Sequence, residues 1–411
     1  MNKKIYGYYT VGDRVFFRKV EALLYASTLL KSPSIAAHKH LFSPLQLVKW
    51  HFNTEVFDQY NWSNEPDETL DFYYQKRARD LREKYDVIIA YYSGGCDSHN
   101  MIMSFLNQNL IIDELVIHHV NAGIQILQSY NFDPKDARIQ PLTETNLQIL
   151  PRLSEIKKIA PNIKINLFDT TQKTIELFSK YQDGSWVKNV REELNPVDSA
   201  KYNFTCFDEY KSLIDTNKKI GIIVGLDKPS IRINNNKVML ILSDRRFNIN
   251  LFYSEIESYS NAQVEFFYTS PDACDLFCKQ AHTLMNWVLS SHKTQDMFTV
   301  HQFTPSLLLA NNKLFLEENA RALLYQSTWH KEWFQAKKSI LDWHSEADLW
   351  YHLAFPANTI QGSCWLDGIR YVKENIHQSY LYENDGFIEF NKEYVLKILD
   401  TESSQNANTS N

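Results

Sequence analysis

Asp86-Val-Ile-Ile-Ala-Tyr-Tyr-Ser-Gly-Gly-Cys-Asp-Ser98 is the stretch that decides the fold of this chain. Asp86 to Tyr92 is a short apolar run of the length of a buried strand. His99 to Gln108 reads as a helix. Between them lie Ser93, Gly94, Gly95, Cys96, Asp97 and Ser98. A glycine-rich loop between a strand and a helix N-terminus is a place to hold phosphate. The glycines let the backbone turn sharply and come close to an anion. The free N–H groups of the loop and of the first helical turn then point at it. Ser93 and Ser98 add hydroxyl donors. Asp97 offers the carboxylate that magnesium takes alongside phosphate oxygens. Cys96 is read as a small side chain packed under the loop, with an activated thiol as the other reading.

The rhythm continues outward from this loop. Glu114 to Val120 is a second strand, Ile163 to Phe168 a third and Ile220 to Gly225 a fourth. Helices are expected at 147–160, interrupted near its start by Pro151, and at 171–181, with a polar loop at 128–145. Strands alternating with helices predict an α/β fold with a parallel-stranded, Rossmann-like sheet and helices on both faces. Ile231–Ile233 and Lys237–Leu242 flank Asn234-Asn235-Asn236, a hairpin signal. Lys237 and the charged Asp244-Arg245-Arg246 turn are a weaker candidate segment for the ligand end of the sheet, with solubilising hairpin ends as the other reading.

Residues 1–85 form an aromatic-rich N-terminal cap, with a strand at Ile5–Tyr9 and helices at Phe17–Leu30 and Thr69–Lys84. Lys76, Arg77, Arg79, Arg82, Glu83 and Lys84 read as the solvated face of that second helix, with a basic face that meets phosphates as the other reading. Residues 86–265 form the loop-bearing α/β domain. Residues 266–400 read as mainly helical, with Asp272–Leu289 the clearest helix, and 401–411 as a frayed tail. Cys274, Cys278 and His282 fall on one face of that helix. They are read as core, since two thiols and one imidazole make a poor zinc set. His118 and His119 alternate on a strand and so suit packing better than a shared metal.

The chain has 411 residues, 44% hydrophobic, which is enough for two or three packed units. The net charge of −6 gives no global basic field for nucleic acid. Five scattered cysteines suit reduced cytosolic thiols. The N-terminus lacks a signal peptide's apolar core, and no run approaches the ~20 residues that span a bilayer. The expectation is a cytoplasmic protein without a membrane partner.

In parallel sheets, ligands sit at the carboxyl ends of the strands. The loop Gly225-Leu226-Asp227-Lys228-Pro229-Ser230 and the segment His118 to Gly123 both end strands and converge there with Ser93–Ser98. Asp227 and Lys228 are the charged candidates. A lysine so placed can offset charge on a displaced phosphate.

The pattern Ser-Gly-Gly-x-Asp-Ser resembles the pyrophosphate loop of the N-type ATP pyrophosphatases. That superfamily includes asparagine synthetase, GMP synthetase, NAD synthetase, tRNA-modifying ligases and PAPS reductase. A Walker loop, with its Gly-Lys-Ser/Thr, is absent. The resemblance covers roughly residues 86–260 and is specific only in the loop. It implies a HUP-type sheet and ATP and Mg2+ as cofactors, with cleavage to AMP and PPi. It implies an adenylating enzyme for amidation or ligation, with Asp97, Asp227 and Lys228 in the chemistry. Adenosine contacts are implied for the backbone at Val120, Asn121 and Ala122, and pyrophosphate contacts at Gly225. Residue 2 is Asn where glutaminase domains of asparagine synthetases start with Cys, so the amine comes from free ammonia, an ammonia-producing partner or the substrate. The acceptor is an amino acid, a nucleotide or tRNA. Two alternatives remain: a PAPS reductase-like or sulfur-transfer enzyme, for which the chain offers only Gly362-Ser363-Cys364-Trp365 and no CxxC pair, and a nucleotide-binding module without turnover. The chain also resembles uncharacterised phage-type proteins with an aromatic cap before this loop, which implies a host-cytoplasmic setting.

Overall fold

A computed structural model describes residues 7–17, 19–30, 44–119, 149–169, 216–226, 228–244, 261–292, 319–329 and 390–399. It also describes positions 121, 125–126, 129, 171–172, 175, 294–295, 353–356, 358–364, 367, 382–383 and 386–387. Strand β1 (Tyr8–Val11) pairs antiparallel with β2 (Arg14–Phe16) and β3 (Val48–His51). Helix α1 (Lys19–Leu30) packs on this small sheet through Ala22, Leu23 and Ala26.

Helix α2 (Leu70–Lys84) begins where the Thr69 hydroxyl accepts the Phe72 N–H at 3.2 Å. Its buried residues Tyr74, Ala78 and Leu81 follow the helical period. Arg77 is buried with them at 3% exposure, although the sequence assigns it to the solvated face. Its guanidinium pairs with fully buried Glu265 at 3.2 Å and donates to the carbonyls of Phe266 and Phe267. A planar cation with five donors can satisfy a carboxylate and a strand end together, which explains its burial.

The central layer follows. Strand β4 (Val87–Tyr91) leads through the loop to α3 (Cys96–Leu106), then β5 (Glu114–His119), α4 (Leu150–Ile159), β6 (Lys164–Asp169) and β7 (Ile220–Val224). Strands β8 (Ser230–Asn234) and β9 (Lys237–Ser243) precede β10 (Ala262–Phe266) and helix α5 (Cys274–Leu289). Strands β4, β5, β6, β7 and β10 form one sheet of order β10-β7-β4-β5-β6, every pair parallel. The protein is therefore α/β, with a five-stranded parallel sheet flanked by helices. Central β4 and β7 are buried along almost their whole length, which is why Val87–Ala90 and Ile220–Ile223 are apolar without alternation. Chain order runs outward from β4 to β5 and β6 on one side and to β7 and β10 on the other. The carboxyl end of β4 is thus the switch point where such sheets bind ligands.

Strands β8 and β9 form the expected hairpin, with Asn235 and Asn236 at φ 44 and 56. Two left-handed residues give the turn whose twist matches the strands. A last strand, β11 (Asn391–Ile398), pairs antiparallel with β9. It lies inside the stretch that the sequence reads as mainly helical. Asp244, just past β9, is fully buried and not a solubilising end. It receives the Tyr9 hydroxyl at 2.8 Å, the Lys19 ammonium at 2.9 Å and the Phe390 N–H at 3.0 Å. One carboxylate thus ties the N-terminal sheet and α1 to one end of the hairpin sheet, where β9 leaves off and the last strand begins. Trp62 packs edge-on to Phe277 of α5, so the aromatic N-terminal segment shares its core with that helix.

Helix α3 starts at Cys96, three residues before the sequence places it, because Gly95 takes the extended N-cap conformation. The expected loop at 128–145 and helix at 171–181 fall largely outside the described residues, as do Cys206, Arg245, Arg246 and the tail. Among the described residues no helix is long and apolar enough to cross a membrane.

Candidate functional site

Gly94 turns the chain after β4 with φ +71. A Cβ there would stand 2.6 Å from Cγ1 of Ile149, so both the conformation and the space demand glycine. Gly95 caps α3 through its backbone, and no side chain caps that helix end. The N-terminal N–H groups of α3 therefore face the crevice without a covalently built-in acceptor. The serines shape the loop itself. Ser93 N–H donates to Ser98 Oγ at 3.3 Å, the two hydroxyls are 3.2 Å apart, and Ser98 Oγ donates to the Gly95 carbonyl at 3.1 Å.

Asp97 sits in the first turn of α3 with a quarter of its side chain open. Its Oδ1 accepts the Tyr325 hydroxyl at 2.5 Å. Lys228 Nζ stands 3.9 Å from its Oδ2. Its main-chain carbonyl accepts the Tyr268 hydroxyl at 2.7 Å. Burial and the neighbouring carboxylate push the Tyr325 phenol well above its ordinary pKa, so it remains a donor. Tyr268 is held protonated the same way. Gly225, at the end of β7, comes so close that a Cβ would lie 2.9 Å from Ser98 Cα. The ends of β4 and β7 are thus drawn together at the switch point, and Lys228 is carried to the loop.

Beneath the loop lies Arg152 of α4, 1% exposed. Its guanidinium donates to the Gly94 carbonyl, and Nη2 stands 3.8 Å from the Cys96 sulfur. Cys96 is half-buried against this cation, which fits a packed side chain under the loop. On the same helix as the loop acid, His99 Nδ1 is 3.2 Å from the Tyr92 hydroxyl and Nε2 is 3.6 Å from Glu155.

The structure brings together Ser93–Ser98, Gly225 and Lys228. The Asn121 N–H donates to Asp169 Oδ1 at 3.1 Å, linking the ends of β5 and β6. Val120, Ala122 and Asp227 lie outside the described residues, as do the side chains of His118 and His119. In α5, Cys278 donates to the Trp62 and Asn64 carbonyls, and His282 Nε2 is 2.9 Å from the Trp62 carbonyl. These groups fasten the 62–64 turn to the helix. Burial pushes the Cys274 and Cys278 thiols up to about 12. A cleft of about 270 Å3 lies between Tyr60, Tyr73, Lys76 and Asp275, and no loop residue lines it.

Sequence reasoning passes over Tyr325, Tyr268 and Arg152. Tyr325 is one of 23 tyrosines and meets Asp97 across 228 positions, a contact with no local signal. Arg152 carried a weak one, a lone cation between Leu150 and Leu153.

The donor set suits a magnesium-bound polyphosphate: an uncapped helix end, a glycine turn with no room for a side chain, one accessible carboxylate and an ammonium beside it. Comparison with models of known protein families finds no match to the chain, and comparison with curated proteins finds none.

Proposed function

We propose that this chain is an ATP-dependent adenylating enzyme that cleaves ATP to AMP and PPi to activate an acceptor for amidation or ligation. One juxtaposition carries the reading: a glycine-turned loop at the switch point whose Asp97 faces Lys228 from the segment after the neighbouring strand β7. The strand order around β4 supports a HUP-type sheet. In this reading the N–H groups of Cys96 to Ser98 bind the pyrophosphate portion of ATP, while the Gly95 N–H is held by Ser93 Oγ at 3.3 Å. Asp97 holds Mg2+ through the carboxylate oxygen that faces the crevice. Magnesium, when bound, neutralises phosphate oxygens and eases departure of pyrophosphate. Lys228 offsets charge that grows on the phosphate during displacement. The acceptor is an amino acid, a nucleotide or tRNA, with ammonia or an amine on the substrate as nucleophile.

Calorimetric titration of the chain with ATP, with and without Mg2+, tests the site. Wild type should bind ATP more tightly with Mg2+. Asp97→Asn should lose that gain while keeping its melting curve. Equal Mg2+ dependence in both proteins would reduce Asp97 to a helix-end residue.

A further inference from the structure

Asp97 is held from two sides, and the firmer hold comes from a segment far along the chain. Tyr325 is fully buried, with its ring 6.3 Å from Tyr74 and 6.0 Å from Tyr268. Its hydroxyl reaches Oδ1 of Asp97 at 2.5 Å. The turn that carries it is itself pinned to neighbouring helices. Thr328 donates to Asn100 Oδ1 of α3 at 2.9 Å, and the Tyr74 hydroxyl of α2 donates to the Leu324 carbonyl at 2.8 Å. Asn100 in turn donates to Tyr268, which grips the Asp97 carbonyl. The residue's backbone and one carboxylate oxygen are thereby fixed by the same polar network. Oδ2 is left toward Lys228 and the crevice.

We infer that Tyr325 is a positioning residue that orients the Asp97 carboxylate so that Oδ2 meets the magnesium ion of the nucleotide complex. A carboxylate on a free side chain must be ordered when it binds a cation. One already fixed by a rigid donor binds without that cost, provided its supporting shell is locked. The C-terminal segment around 319–329 is then part of the nucleotide site and not only a neighbour of it. This inference rests on the assignment of Asp97 to magnesium proposed above.

The experiment is the same ATP titration, with and without Mg2+, on Tyr325→Phe and Tyr9→Phe. Tyr9→Phe removes an equally buried hydroxyl that donates to a different carboxylate, Asp244, so it reports simple loosening of the core. Tyr325→Phe should lose about ten- to hundredfold in the Mg2+-dependent affinity, the typical loss for a hydrogen bond to a charged group. Its affinity for ATP without Mg2+ should be unchanged, and Tyr9→Phe should keep the wild-type gain. If Tyr325→Phe keeps the full gain, or if both variants lose it equally, the positioning role is overturned while the magnesium assignment stands. If wild type shows no gain with Mg2+, the assignment itself fails and this inference falls with it.

Discussion

The ammonium of Lys228 stands 3.9 Å from Oδ2 of Asp97, across the gap between the ends of two adjacent parallel strands. Neither residue reaches the other by local structure. β7 delivers the lysine, and the close approach of Gly225 to Ser98 sets the spacing. In the proposed reading, phosphate charge is met from two directions, by the ammonium and by the N-terminus of α3.

Lys228→Ala should therefore lower turnover by about 100- to 1000-fold, as loss of one electrostatic donor to a transition state typically does. Lys237→Ala, at an exposed hairpin end, should match wild type. Steady-state kinetics of the two variants, with melting curves, check this. Matching rates for both would make the 225–230 loop structural only.

Gly94→Ala should destabilise the protein by about 1–3 kcal/mol, the usual cost of forcing atoms into a filled space. The φ of +71 adds strain for any residue with a Cβ. The Ile149 contact makes α4 the element that must move. Denaturant unfolding measures the loss. A variant as stable as wild type would mean that the loop does not pack on α4.

The thiols of α5 give a test in pH. Cys274 and Cys278 ionise near 12 when folded, against an ordinary value of 9.0, because burial disfavours the thiolate. The folded state thus holds protons that the unfolded state releases between about pH 9 and 12. The stability they contribute is fully present below pH 9 and declines as pH rises through that window. At pH 8, iodoacetamide should label neither thiol in the native protein and should label both in denaturant. Fast native labelling, read by peptide mass, would refute the buried packing.

Much of this architecture is legible where local chemistry decides it. Two glycines and a serine after an apolar run define the loop, and three asparagines define the hairpin. Apolar runs without polar alternation mark the central strands. What escapes is set by distance. Arg77 sits among charged neighbours in α2, and nothing nearby announces that Glu265 will bury it. Asp244 looks like a charged turn until Tyr9 and Lys19 reach it from the other end of the chain. Strand β11 hides because Asn391-Lys-Glu-Tyr-Val-Leu-Lys-Ile398 has three charged side chains, and only pairing with β9 makes it extended. Tyr325 escapes for the same reason, and it touches the most important carboxylate of the site.

The most direct test of the central claim is where ATP is cut. Full-length protein is incubated with Mg2+, ATP labelled at the α-phosphate, and separate pools of amino acids, nucleotides and tRNA, and the labelled products are separated by chromatography. A loop that grips the pyrophosphate end predicts labelled AMP, free or joined to an acceptor, with unlabelled PPi in equal amount. Accumulation of labelled ADP with release of inorganic phosphate would contradict the account.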